Sequence, residues 1–331
     1  MKNRIFKVGG LFSGVGGIEL GFSKTNKFEI AWATDRDKYS AKTYRNNFKH
    51  LFYEKDINDI KGDDLEAVDV LVGGFPCQAF SVAGYQKGFE DERGDVFFQI
   101  IRLINELPKK PVVLLLENVK NIYTHDKKKT FKIIQDSLEK TGYCVFSKVL
   151  NTSEYTNIPQ NRERTFIICF KDEADWEFSD KPSCSRKFSD QLPLSKSKKK
   201  KSFRELLEKG DVHERFYYKQ DAYMYKDLKK SITSKDTVYQ WRRVYVRKNK
   251  SNECPTLTAN MGTGGHNVPL IKDGLGIRKL TPRECLNFQG FPKSFKFPDD
   301  MPVSQRYKQA GNAVTVTLIK KIAGIISNSL D

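Results

Sequence analysis

Cys77, Glu117 and the pair Arg162 and Arg164 stand where apolar runs begin or end. Cys77 follows Pro76 at the close of "VDVLVGGFPC", a position that stiffens the backbone and lets a thiol project past a strand end. A thiol ionises at roughly pH 8.5, so it serves as a nucleophile only where a cation or helix dipole holds the thiolate. Glu117 emerges from the apolar run of "LLLENV", where loss of water lets a carboxyl donate or share a proton. Arg162 and Arg164, two residues apart in "PQNRERTFIICF", fall on one face of an incoming strand. Taken singly, each has a plainer reading as a packed thiol or a surface ion pair. Together they form the set that covalent and acid–base chemistry needs.

These residues require elements to position them. "FEIAWATD", "VDVLVGGF", "PVVLLLENV" and "RTFIICF" read as buried parallel strands, with "KYSAKTYRNNF", "DVFFQIIRLINEL" and "KTFKIIQDSLEKTG" as helices between them. That alternation predicts an α/β fold with a doubly wound, mostly parallel sheet. Ligands of such sheets bind beyond the carboxyl ends of the strands. There the chain places a glycine-rich turn, "LFSGVGGIELGF", with Glu19 where the dinucleotide fingerprint has its third glycine. Asp35 ends the next run and can accept from two ribose hydroxyls. Asp56, beside Ile57, can hold an adenine amino group against an apolar wall. The combination favours an adenosine-bearing cofactor that needs no pyrophosphate. After Cys77, "VAGYQKGFEDERGDVFF" is polar and glycine-punctuated and reads as a loop able to close over a substrate.

The chain has 331 residues, enough for a large α/β domain and a smaller one. Lys and Arg number 58 against 41 Asp and Glu, a net charge of +17 that suits a polyanionic partner or simple solubility. No apolar run is long enough for a membrane span, and "MKNRIFKVGG" lacks the pattern of a secretory signal. A cytoplasmic protein without a membrane partner is expected. Six scattered cysteines without a CxxC pair offer neither a disulfide framework nor a metal site. Residues 171–277 lack long periodic elements and read as a second, loop-rich domain, and the lysines of "SKSKKKKS" read as a solvated linker.

The ordered set "LFSGVGG", "TDRD", "GGFPCQAFS", "RGDVFFQIIRLI", "LLENV", "QNRER", "RKLTPRECLNFQGFP" and "QAGNAVTVTLIKKIA" resembles the bacterial DNA cytosine-5 methyltransferases that accompany restriction enzymes. The resemblance spans nearly the whole chain outside 171–277. It implies a Rossmann-like catalytic and cofactor-binding domain at 1–170, completed by about 305–331, a target recognition domain at 171–277, and a connecting hinge at 278–304. The implied methyl donor is S-adenosylmethionine, leaving S-adenosylhomocysteine, with no metal.

The same resemblance implies residue roles. Cys77 would add to carbon 6 of a flipped-out cytosine, Glu117 would bond ring nitrogen 3 and the amine, Arg164 would bind oxygen 2, and Arg162 would support the thiolate or its loop. Phe12, Asp56 and Ile57 fall to the adenine, Asp35 to the ribose, Gly14 and Gly16 to the methionine moiety, and Pro76 to the methyl. Asn312 and Val314 would return to that pocket. Gly10, where many relatives carry an acid, and Arg36, where an aromatic is common, depart from the pattern. Ser81, Lys87 and Arg93 of the loop and Thr256 are implied DNA-backbone contacts, and Gln240, Arg242 and Arg243 candidate base contacts. The partners expected are duplex DNA and a cognate restriction endonuclease acting without a stable complex, with the enzyme itself a monomer. An RNA methyltransferase of the same fold, a non-catalytic DNA-binding protein and a nucleotide-dependent oxidoreductase are the competing readings.

Overall fold

The apolar runs assemble into a seven-stranded sheet. Its strands are β1 Phe6–Leu11, β2 Phe28–Thr34, β3 Leu51–Tyr53, β4 Val70–Gly74, β5 Val113–Val119, β6 Tyr143–Asn151 and β7 Glu163–Lys171, in the order β3-β2-β1-β4-β5-β7-β6. The structure, a computed structural model, describes residues 4–76, 96–171, 184–190, 194–242, 244–249, 252–263 and 267–331. Pairings from β3 through β5 are all parallel. The strand order reverses at β1 and β4, which makes their carboxyl ends the natural ligand crevice. Val113 to Leu116 are wholly buried, as expected of a strand covered on both faces, and this is why it reads as a continuous apolar run.

Helices α1 Gly17–Ser23, α2 Lys38–Asn47, α3 Val96–Glu106 and α4 Lys129–Lys140 connect these strands. In α3, Phe97, Ile100, Ile101 and Ile104 make one buried stripe against the core residues Leu71, Leu114 and Leu116. The stretch read as a fourth buried parallel strand, "RTFIICF", forms β7 but runs antiparallel to β5. Composition reports burial on both faces and carries no direction; β6, a half-buried strand not anticipated from the sequence, lies at the sheet edge, and β7 returns between β5 and β6.

The chain divides into two compact units. The first, holding the large sheet, comprises Met1–Leu150, Glu163–Leu194 (with α6 Cys184–Asp190) and Leu318–Asp331. The second comprises Asn151–Arg162 (with α5 Thr152–Tyr155) and Ser195–Thr317. It contains α7 Tyr225–Ser231, α8 Pro282–Phe288, α9 Val303–Asn312 and a four-stranded sheet of β8 Tyr239–Arg242, β9 Tyr245–Lys248, β10 Leu270–Lys272 and β11 Ile277–Lys279, ordered β11-β10-β8-β9. Met224, Leu228, Tyr239, Trp241, Leu270 and Ile277 fill its core. The closing helix α10 Val316–Leu330 starts in the second unit and ends in the first. There Ile319 packs so closely on α1 that a Cβ on Gly21 would lie 2.4 Å from it.

Residues 278–304 cluster with the second unit. Arg278 is buried and bonded to Asp273 (2.7 Å) and to both oxygens of Glu284 (2.8 Å each), which fastens β11 to the N-terminus of α8. Residues 151–162 likewise leave the large sheet, because Gln160 bridges to Cys254 in parallel fashion and its amide reaches the Phe288 carbonyl at 2.6 Å. The lysine run is no free linker, since Lys200 pairs with Glu253 and the Lys201 N–H donates to the Asn157 carbonyl.

Candidate active site

The glycine turn is built from backbone conformations that few residues tolerate. Phe12 has φ 52°, Gly14 φ 55° and Gly16 φ 84°, all in the left-handed region. Gly16 is doubly constrained, for a Cβ there would stand 2.3 Å from the Phe48 ring. Among the described residues a Cβ on Gly14 would meet nothing within 4 Å, so on that side the turn borders open space. The turn is clamped to the next strand: Ser13 N–H donates to the Thr34 carbonyl at 2.9 Å, and Gly14 N–H to Asp35 Oδ2 at 2.7 Å.

Asp35 accepts from Asp37 N–H through its other oxygen, at 2.8 Å. Burial pushes its carboxyl upward, and these two N–H donors oppose the rise. Each oxygen keeps a lone pair for a further donor. Asp56 caps the short turn Ile57–Asp59, accepting from Asn58 N–H, and pairs with Arg36 at 2.8 Å. The Asn58 N–H and the Arg36 guanidinium hold its carboxyl below the usual range, with burial opposing them. Ile57 lies in the main core, Phe12 packs against its edge, and Pro76 is exposed. The Arg36–Asp56 pair spans two stretches that no local sequence pattern joins.

Beyond β4 and β5 lies the second cluster. Glu117 Oε1 accepts from Arg164 Nε at 3.0 Å, with the two side chains 14% and 15% exposed. The antiparallel register that sets Val119 opposite Arg164 makes this contact possible. Gly74 sits opposite Glu117 on β4, and a Cβ there would approach Glu117 Oε2 to 3.4 Å. The glycine presents no side chain to that oxygen. Asn118, not singled out in the sequence, is buried and donates to the Phe75 carbonyl at 2.9 Å. It thereby fixes the backbone two residues ahead of Cys77. Cys77 itself, with Ser81, Lys87 and Arg93, lies outside the described residues, as does Arg243.

Arg162 does not join Arg164. β7 begins at Glu163, so the same-face rule for residues two apart does not reach Arg162. Its buried guanidinium donates to the carbonyls of Leu257 (2.6 Å), Ala313 (2.8 Å) and Gly311 (3.3 Å), within the second unit. That unit also holds Asn312, exposed at the end of α9, and buried Val314. Thr256 Oγ1 donates to the Asn161 carbonyl at 2.6 Å. In the β8–β9 hairpin, Gln240 stands opposite Arg247 and Arg242 opposite Tyr245. Trp241 turns into the core while Arg242, Tyr245, Arg247 and Lys248 face out.

A mostly parallel sheet with a glycine turn at its reversal point and acids at successive strand ends defines the Rossmann-like fold of S-adenosylmethionine-dependent methyltransferases. A family model described as C-5 cytosine-specific DNA methylase matches residues 6–328. The chain is 50% identical to the type II methyltransferase M.Bsp6I of Bacillus sp. (strain RFL6), over 98% of this chain and 100% of the relative. It is 39% identical to the type II methyltransferase M.HaeII of Haemophilus aegyptius, over 98% and 94%. Among solved structures, the Dnmt2 methyltransferase of S. pombe superposes with a TM-score of 0.74 at 18% identity, covering 99% of this chain and 100% of the other. The methyltransferase EhMeth of Entamoeba histolytica gives 0.71, also at 18%, over 99% of each chain. The chain belongs to the C-5 cytosine-specific DNA methylase family. It is a DNA (cytosine-5-)-methyltransferase of the type found in type II restriction–modification systems.

Proposed function

We propose that the enzyme methylates a cytosine flipped out of a short specific duplex sequence, through a covalent adduct between Cys77 and carbon 6. The observation that carries this reading is the Glu117–Arg164 pair, half-enclosed at the ends of β5 and β7 with no side chain from Gly74 against Glu117 Oε2. A carboxyl and a guanidinium held side by side can meet a polar ring edge at two points. Glu117 would bond ring nitrogen 3 and the exocyclic amine, neutralising charge that develops on the ring, and Arg164 would hold oxygen 2.

Carbon 5 of cytosine is a poor nucleophile while the ring is aromatic. Addition of the Cys77 thiolate to carbon 6 makes an enamine whose carbon 5 can take a methyl group. S-adenosylmethionine, when bound, supplies that group as an electrophilic methyl on a sulfonium. Loss of the carbon-5 proton then restores the ring and expels Cys77 as thiolate. Flipping costs a few kcal/mol, which contacts to the extruded base and the DNA backbone must offset. Ser81, Lys87 and Arg93 are proposed for the backbone, with Thr256 alongside. The hairpin carrying Gln240 and Arg242 is proposed to read bases, supported by its outward basic residues Arg242, Arg247 and Lys248, and Arg243 is proposed to join them.

The residues around the glycine turn fit the cofactor. Open space adjoins Gly14, and Asp35 retains acceptor capacity for ribose hydroxyls. Asp56 and Ile57 are proposed for the adenine, with Arg36 holding the Asp56 carboxylate in place. Acting as a cytoplasmic monomer, the enzyme would protect host DNA from a cognate endonuclease without binding it stably. The test is expression in a host lacking cytosine methylation, followed by bisulfite sequencing of its genome. One short motif protected at one cytosine is expected, and abolished by Cys77→Ser. Protection that persists in the serine variant rules out the covalent route. No protection from soluble wild-type protein rules out the DNA substrate.

A further inference from the structure

Glu19 is a buried acid that the proposed chemistry leaves unused. It lies in the first turn of α1, directly after the glycine turn, and is 1% exposed. Its Oε2 has no hydrogen-bond partner among the described residues, and the buried hydroxyl of Ser13 lies beside the carboxyl. Both side chains converge on one spot. A Cβ added to Gly10, at the carboxyl end of β1, would stand 2.2 Å from Glu19 Oε1 and 2.7 Å from Ser13 Oγ. The missing side chain of Gly10 is therefore the space into which the Glu19 carboxyl reaches. No basic side chain among the described residues pairs with it.

A buried carboxyl with one oxygen left unpartnered is costly, and structures keep such a group where something absent completes it. Two acceptors side by side, one of them anionic, call for a compact cation with several N–H donors. Inorganic cations fit poorly, because no cluster of three metal-ligating side chains occurs among the described residues. The charge of Asp35, proposed above for the cofactor's ribose, acts on Glu19.

We infer that Glu19, aided by Ser13, receives the α-ammonium group of the cofactor's methionine moiety, making Glu19 a cofactor-specificity residue supplied by α1 through the space above Gly10. This rests on the cofactor reading above. Burial also pushes the Glu19 carboxyl up to about 7, with the Ser13 hydroxyl opposing and the Asp35 charge adding to the rise, so a cation would find it ready to ionise.

The test is calorimetric titration of the full-length protein with S-adenosylhomocysteine and with its analogue whose α-amino group is replaced by hydrogen. Wild-type protein should prefer the amino form at least tenfold. Glu19→Gln, which keeps the shape of the side chain, should abolish that preference while binding the des-amino analogue as wild type does. Gly10→Asp combined with Glu19→Ala, which moves the acid onto β1, should restore part of the preference. Equal loss for both ligands in Glu19→Gln, or no loss for either, overturns the inference. A wild-type protein that binds neither ligand overturns the cofactor reading itself.

Discussion

Removing the Glu19 charge should make the ligand-free enzyme more stable, and increasingly so as pH rises. Glu19 is wholly buried and its carboxyl is pushed from 4.5 to about 7. A group that binds its proton more tightly folded than unfolded adds stability below the unfolded value and loses it as pH climbs through the folded one. Below pH 4.5 the acid is neutral in both states and costs nothing. Between 4.5 and 7 the unfolded chain releases its proton while the folded one keeps it, so stability falls. Above 7 the loss is complete, and 2.5 units correspond to about 3 kcal/mol. From pH 5 to pH 8.5 the wild type should lose about 2.5 kcal/mol that Glu19→Gln does not lose. The other titrating groups near Glu19 are Asp35, at the end of β2, and Tyr44, on α2. Both are present in each protein, so the difference between the two pH profiles isolates Glu19. The measurement is urea unfolding of wild type and variant, without cofactor, at half-unit intervals of pH. Parallel profiles would refute the assignment of a buried, unpaired acid. Saturating S-adenosylhomocysteine should bring the two profiles together, since the ammonium gives the wild-type charge its partner.

Three further outcomes follow from the geometry. Glu117→Gln should lower kcat about 100-fold while leaving S-adenosylhomocysteine affinity within twofold, because the amide cannot share a proton with the ring; single-turnover methylation of an oligonucleotide duplex checks this. Asn118→Ala should lower kcat with little change in cofactor affinity and cost about 1–3 kcal/mol, since it leaves the buried Phe75 carbonyl without its donor; unchanged kcat would deny that the Phe75 anchor positions Cys77. Arg162→Ala strips the carbonyls of Leu257, Gly311 and Ala313 of a buried donor set and should destabilise the second unit by about 3 kcal/mol or more, read as lowered hydrogen-exchange protection confined to that unit.

Much of the site was legible because buried parallel strands advertise themselves as unbroken apolar runs, and a charged residue just past such a run is conspicuous. Glu117 and Asp35 are singled out as candidates this way. Arg164 was found by spacing, yet its partner was not, because the contact depends on β7 running antiparallel to β5 and composition carries no strand direction. The same spacing rule misplaces Arg162, because it holds only within a strand and β7 begins one residue later. The Arg36–Asp56 pair joins the ends of separate strands, and no local pattern announces such a meeting. Glu19 was visible only as the missing third glycine of a nucleotide fingerprint. Its meaning depends on Gly10, nine residues earlier, whose absent side chain makes room for it.

The same geometry explains why the acid and the asparagine are adjacent in "LLENV". Successive residues of a strand point to opposite sides, so Glu117 and Asn118 cannot serve one purpose. Glu117 stands opposite Gly74, the last residue of β4, which presents no side chain to its Oε2. Asn118 reaches past the end of β4 to the Phe75 carbonyl, and its own Oδ1 accepts from Val119 N–H at 2.8 Å, which holds the amide in the orientation that donates to Phe75. One residue of β5 thus presents chemistry while its neighbour fixes the segment from which the thiol departs. A single covalent bond along β5 and one buried hydrogen bond link Glu117 to the backbone just before Cys77. Displacing the Phe75 segment therefore requires breaking a buried hydrogen bond, so the backbone ahead of Cys77 and the Glu117 carboxylate are expected to move as one piece.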